Sequence, residues 1–367
     1  MSKTVFFGPF IGEFGWELAS WQGWVRKICS DQFTHYRKIA SSYEGRAGLY
    51  PSVDEFWPIP KNFEIHKSNS VQFLVKGWRN GLPGSKEIHL VMEKGFRNGK
   101  VYLDFKEKEM YEAAQGPDIE PIANAMLEDF KKKLPPDTIL FTPWKYNRLE
   151  NYNLEFGLLP PEHPLVNIEH PLPKASRLIV KGIPIQNQSI EKLHGMDSSR
   201  EKLNNIIGPE IKLISLFPRF REHYKTRNWT KDKYQQLIVL LRQKFPNHKI
   251  AIVGEPGGCY FYDGVPHDTL DLINLDPKNR VSIQIAAMER SLFALGSSSG
   301  GLYLAKYCGC PVFKWSNPND PDGLTENDKY TLNPLNTPGF VYPNVQPEVD
   351  EIFQALIKFV DSILPPR

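Results

Sequence analysis

Six consecutive small residues, Gly296-Ser297-Ser298-Ser299-Gly300-Gly301, follow the apolar run Leu292-Phe293-Ala294-Leu295 and precede Leu302-Tyr303-Leu304-Ala305. The passage reads as a buried strand that enters a tight turn and starts a helix at once. A helix start leaves backbone N–H groups unpaired, glycine lets an anion approach the backbone, and serine hydroxyls add donors. The chemistry on offer is the binding of phosphate. A plain strand–helix turn with a serine cap needs fewer of these six residues. A second candidate is Phe217-Pro218-Arg219-Phe220-Arg221-Glu222-His223-Tyr224-Lys225-Thr226-Arg227-Asn228-Trp229, with four Arg and Lys residues in nine positions. Arg219 and Arg227 have the fork that fits phosphate oxygens, and Lys225 is a point charge. The alternative is a solvated basic loop given shape by Pro218, Tyr224 and Trp229.

Two further loops carry usable groups. Gly8 to Gly15 has the spacing G-x-x-x-G-x-x-G, which departs from the G-x-G-x-x-G of dinucleotide binders and argues against a dehydrogenase. Glu13 lies in it, where a carboxylate could take a proton from a hydroxyl or simply complement a helix start. Glu17, just inside the following helix, reads as a structural partner. Val253-Gly254-Glu255-Pro256-Gly257-Gly258 ends another strand and faces either a nucleobase or ribose, or nothing at all as an ordinary strand–helix loop.

The elements that must position these loops follow from hydrophobic period and caps. Strands are predicted at 4–7, 35–41, 56–59, 71–75, 87–91, 100–105, 137–142 and 177–183, and helices at 16–29 and 117–133. The second half alternates more cleanly: helix 199–206, strand 212–217, helix 230–244 with Thr230 as N-cap, strand 249–253, helix 282–289, strand 291–295, helix 301–307, strand 311–314 and a last amphipathic helix 349–364. Strand and helix in turn predict parallel sheets covered on both faces. The polar stretch from about 186 to 210 is where two domains would divide.

Composition narrows the function classes. A chain of 367 residues, 41% hydrophobic and 24% charged, suits two globular domains. A net charge of +3 is too small to imply a nucleic-acid partner. No apolar stretch approaches the ~20 residues of a membrane span, and the opening residues lack the apolar run of a secretory leader. Four cysteines form no disulfide framework, so a cytoplasmic location with reduced thiols is expected. No zinc spacing, Walker loop or Ser-His-Asp signature occurs, and Asp320-Pro321-Asp322 is a weak metal signal in a proline-rich loop.

In order along the chain, the glycine-rich loop with its acid, the strand–Pro218–Arg219 junction, Arg227-Asn228-Trp229 before an amphipathic helix, Val253-Gly254, and the 296–305 passage resemble the GT-B glycosyltransferases, especially the ADP-heptose:lipopolysaccharide heptosyltransferase group. The likeness spans about 211–315 and, in the first half, the Gly12-Glu13 loop. Tyr303 stands where that group has a histidine, and Glu13 where it has a loop aspartate.

That resemblance implies an α/β fold of two Rossmann-like lobes facing across a cleft. Residues 1–195 would form the acceptor lobe, 196–345 the nucleotide-sugar lobe, and 346–367 a helix packing back on the first. It implies sugar transfer from a nucleotide-sugar to a hydroxyl of a glycan or glycolipid, with inversion, no metal and no cofactor beyond the co-substrate. Peripheral membrane contact fits such an acceptor. Glu13 would be the general base. Arg219, Lys225, Arg227, Gly254, Glu255, Ser297, Ser298, Ser299, Gly300 and Gly301 would hold the donor, and Gly12, Gly15 and Ser41 the acceptor. Two rivals stay open: a nucleotide-sugar epimerase on the same scaffold, and a non-catalytic nucleotide- or glycan-binding protein.

Overall fold

The computed structural model describes residues 3–10, 14–60, 126–141, 188–220, 227–316 and 335–364. The strands expected at 71–75, 87–91, 100–105 and 177–183, and the first part of the helix expected at 117–133, lie outside these residues. The chain forms two compact units, Met1–Glu44 with Tyr50–Ser189, and Gly45–Leu49 with Ile190–Arg367.

In the first unit a four-stranded parallel sheet runs β3-β2-β1-β4, built from β1 (Thr4–Phe7), β2 (Arg37–Ser42), β3 (Glu55–Pro58) and β4 (Ile139–Phe141). All four residues of β1 are buried, as a central parallel strand covered on both faces requires. Phe7 stacks on Phe141 with ring centroids 5.2 Å apart, and Trp24 meets the edge of both. The helix expected at 16–29 is broken in a way its sequence conceals: α1 (Phe14–Trp16) leads through a π-helical turn, Glu17–Trp21, into α2 (Gln22–Asp31). Trp21 and Trp24 are core residues. A helical stretch at 126–131 adds Met126, Leu127 and Phe130 to the same core.

The second unit holds a six-stranded parallel sheet in the order β10-β9-β8-β5-β6-β7. Its strands are β5 (Lys212–Phe217), β6 (His248–Ile252), β7 (Leu270–Asp271), β8 (Ser291–Ser297), β9 (Val312–Trp315) and β10 (Gly339–Tyr342). Between them run α3 (Asp197–Ile207), α4 (Lys231–Lys244), α5 (Arg280–Glu289) and α6 (Gly301–Tyr307), with α7 (Val349–Ile363) at the end. Thr230 caps α4 by accepting from the Lys233 N–H at 3.3 Å, a bond of the kind worth about 1 kcal/mol. Tyr234, Leu237, Ile238 and Leu241 then fall on one face and bury against the sheet.

The terminal helix α7 belongs to the second unit and packs into its core. Val349, Ile352, Leu356, Phe359 and Val360 join Trp229, Leu241, Phe313 and Trp315 in one core. A reciprocal cap starts α7: Glu348 accepts from the Glu351 backbone, and Glu351 accepts from the Glu348 N–H at 3.0 Å. Each fully buried side chain on such a face contributes roughly 1.5–3 kcal/mol.

Chain order within each sheet locates the sites. In the second unit the connections run one way from β5 to β6 and β7, and the other way through β8, β9 and β10. The reversal lies between β5 and β8, where loops leave in opposite directions and open a crevice at the carboxyl ends of the strands. The first sheet reverses in the same manner between β1 and β4.

Candidate functional site

The loops that leave β5 and β8 are the two the sequence singled out. Arg219 follows β5 by two residues and is nine-tenths buried, at 6% exposure. Its backbone pairs with Cys259 in an isolated bridge, the Phe220 N–H donates to the Gly258 carbonyl at 3.1 Å, and the Tyr260 N–H donates to the Pro218 carbonyl at 2.7 Å. Phe220 packs on Tyr260 at 4.8 Å. The Arg219 guanidinium donates through Nη1 to Asn228 Oδ1, and the Asn228 carbonyl is held in turn by Gln346 Nε2 at 2.7 Å. A buried, oriented guanidinium at a strand end is a preorganised cation. Its nearness eases ionisation of Tyr234 and Tyr260, but burial is stronger and raises both phenols. Arg227 is half-buried. Lys225 lies outside the described residues.

The Gly-Ser passage divides into two parts. Ser297 ends β8, and its hydroxyl meets Tyr234 Oη at 3.1 Å inside the core. Ser298 is buried and its N–H donates to the Trp315 carbonyl at 3.0 Å, extending the sheet. The Ser297 hydroxyl is thus taken up by Tyr234. Ser299, Gly300 and Gly301 are half-exposed and form the part of the turn open to a ligand. Two glycines of the passage have packing reasons as well. A Cβ on Gly296 would lie 2.5 Å from the Phe217 carbonyl oxygen, and one on Gly301 3.0 Å from Phe217 Cδ1. α6 spans only seven residues, so its macrodipole adds little, and the turn amides with Arg219 make the stronger case for anion binding.

The loop after β6 is fixed around Glu255. Gly254 has φ +155°, and a Cβ there would meet Cys259 Sγ at 2.9 Å. Gln284 Nε2 donates to the carbonyls of Gly254 and Leu272, at 2.8 Å each. The Gly258 N–H and the Cys259 thiol both donate to the Glu255 carbonyl, at 2.9 and 3.0 Å. Burial pushes the Cys259 thiol up to about 12, with Glu255 adding to the rise, so it is an inert packing group. The Glu255 carboxylate lies 3.7 Å from Arg46. Arg46 escaped the sequence reading because it is distant in the chain; its only local signal is the pair of flanking glycines in Gly45-Arg46-Ala47-Gly48. Asn228 escaped as well, although it sits in the quoted basic segment.

In the first unit the Gly8 N–H donates to the Phe141 carbonyl at 2.8 Å, carrying the loop across the β1/β4 reversal. The Phe10 N–H donates to the Ser41 carbonyl at 2.7 Å. A Cβ on Gly8, whose φ is +129°, would lie 2.5 Å from that same oxygen. Ser41 is therefore fully buried beneath the loop. Its carbonyl shapes the loop. Gly15 is half-exposed in α1. Gly12 and Glu13 lie outside the described residues. Glu17 is buried and accepts from the Tyr50 hydroxyl at 2.5 Å, the structural role expected of it. Among the described residues no group of three or more His, Cys, Asp or Glu is placed to hold a metal ion, and no helix is long and apolar enough to cross a membrane.

Two parallel, helix-covered sheets, each reversing beside its first strand, define a protein of two Rossmann-like lobes of the GT-B type. The chain is similar in structure to ADP-heptose LPS heptosyltransferase II of E. coli, with TM-score 0.50 and 12% sequence identity over 98% of this chain and 99% of that one. It is also similar to a glycosyl transferase of family 9 from Veillonella parvula, with TM-score 0.49 and 11% identity over 98% and 97% of the two chains. No family model matches the sequence, and no match was found among the curated proteins. The resemblance read from the motifs thus holds at the level of the fold.

Proposed function

We propose that this chain is a glycosyltransferase that moves a sugar from a nucleotide-sugar donor to a hydroxyl of a glycan or glycolipid, with inversion and without a metal. The observation that carries the reading is that Arg219 and the Ser299–Gly301 turn follow the paired strands β5 and β8, at the reversal of the sheet. A cation and a set of backbone donors on adjacent strand ends suit a diphosphate, whose charge grows as it leaves the sugar. Arg219 and Arg227, with Lys225, act as the fixed cations. Ser299, Gly300 and Gly301 supply donors, and Gly254 and Glu255 border the nucleoside. Glu13 deprotonates the acceptor hydroxyl, and Gly12 and Gly15 give its loop the freedom to approach the sugar. The fold shared with a lipopolysaccharide heptosyltransferase favours a glycolipid acceptor and a cytoplasmic enzyme that touches the membrane only peripherally.

The test is release of nucleoside diphosphate from a panel of ADP-, GDP- and UDP-sugars, with and without lipid-linked glycan acceptors. Acceptor-dependent release of one nucleotide is expected, and Glu13→Gln should lower kcat by at least about a hundredfold. A changed sugar in the absence of acceptor would mean an epimerase. Tight binding with no turnover would mean a binding protein.

A further inference from the structure

A guanidinium reaches the strand ends of the second unit from a segment that none of the motifs above contains. Gly45–Leu49 belongs to that unit, although the chain on either side of it belongs to the first. Two glycines seat the segment. A Cβ on Gly45, where φ is +88°, would lie 1.7 Å from the Pro277 carbonyl oxygen. One on Gly48 would lie 2.9 Å from Ser282 Oγ and 3.3 Å from Ile285 Cδ1. The segment is pressed against the entry and the first turns of α5, with no room for a side chain at either position. Arg46 stands between the two glycines, 1% exposed, with Nη2 3.7 Å from Glu255 Oε1.

The backbone that carries the partner is held in place. The hydrogen bonds at the Gly254, Glu255 and Leu272 carbonyls fix the loop that carries Glu255, whose side chain remains about a quarter exposed at the end of β6, the strand beside β5. A carboxylate on the rim of a diphosphate site meets a difficulty: its charge opposes that of the ligand. A guanidinium behind it cancels the charge and leaves an oxygen to accept from a hydroxyl or amino group. A fold that needed only to pin the segment could have used an apolar pair of the same volume.

We propose that Arg46 is a positioning residue of the nucleotide site, holding the Glu255 carboxylate in one orientation and neutralising it so that a nucleoside diphosphate is accepted beside it. The inference rests on the nucleotide reading of the second unit. It makes an unusual demand: loss of Arg46 harms binding more than loss of Glu255, because it leaves a bare anion facing the ligand.

The test is calorimetric titration of ADP, GDP and UDP into the full chain, wild type against Arg46→Met, Arg46→Lys, Glu255→Gln and the combined Arg46→Met/Glu255→Gln, with circular dichroism as the fold control. For whichever nucleotide binds wild type, Arg46→Met weakens binding about tenfold and Glu255→Gln less, while the combined variant is no weaker than Glu255→Gln alone. Arg46→Lys keeps the charge and stays within about threefold of wild type. Should Arg46→Met not fold, a further variant, Arg46→Lys/Glu255→Gln, is set against Glu255→Gln: equal affinity is expected, and an additional loss overturns the inference. Wild-type affinity in Arg46→Met, or losses that simply add in the combined variant, overturn the inference alone. A wild-type chain that binds none of the three nucleotides overturns the nucleotide reading, and this inference with it.

Discussion

Arg219 follows β5 and Tyr234 bonds the end of β8, and the two do different work, which substitutions should separate. Arg219 combines burial with a charge aimed at the strand ends. Arg219→Ala is expected to weaken nucleoside diphosphate binding by at least tenfold, about 1.4 kcal/mol, and Arg219→Lys should not restore it, because an ammonium cannot hold Asn228 and fork onto phosphate at once. Titration of the nucleotide reads both. Tyr234→Phe leaves the ligand side intact but strands the buried Ser297 hydroxyl. It should cost about 1–2 kcal/mol of stability in denaturant unfolding, with nucleotide affinity unchanged. From sequence alone the two serines of 297–298 look like ligand donors. Residue type told what the passage could offer, but only the fold shows that the Ser297 hydroxyl meets Tyr234.

Among the elements, α3 and α5 are tied by one carboxylate. Glu289 accepts from Arg200 Nε and Nη2 at 3.0 Å each and from the Gly195 N–H at 3.2 Å, with His194 Nδ1 at 3.1 Å. Burial pushes its pKa up, but the hydrogen bonds from Arg200, His194 and Gly195 outweigh burial and hold it below the ordinary 4.5. A depressed carboxylate stabilises the fold above its unfolded pKa, and the effect is lost as pH falls through the folded value. Glu289→Gln should therefore lower stability by about 1 kcal/mol near neutral pH, seen as a fall of about 2–4 °C in Tm. The gap to wild type should close on acidification below about pH 4.5. The elements of this unit were legible where period and cap agree, as at Thr230 and Val349. β7, two residues long, and β10, half-exposed at a sheet edge, carry too little pattern to be read. The π-helical turn at Glu17–Trp21 keeps an apolar spacing that passes for plain helix.

At the scale of the whole molecule, the sheet order was not written in any single motif. It follows from which strands pair, and the pairing that matters most, β5 with β8, joins segments more than seventy residues apart. The two loops were each legible; their adjacency was an inference from strand alternation that the structure makes concrete. Hydrogen exchange in the presence of the bound nucleotide should slow around 217–220 and 296–303, since a ligand held only by the folded state at a hundred times its Kd adds about 2.7 kcal/mol.

The seating of Gly45–Leu49 has one more consequence. The second unit is not a contiguous stretch of gene, so no single cut can release it whole. A fragment beginning at Ile190 would carry every strand and helix of its sheet and still lack the five residues that cover Pro277 and Ser282. Such a truncation should bind nucleotide no better than the full-length Arg46→Met protein does. Grafting the missing pentapeptide onto its amino end through a flexible tether should recover the difference, with nucleotide binding as the readout.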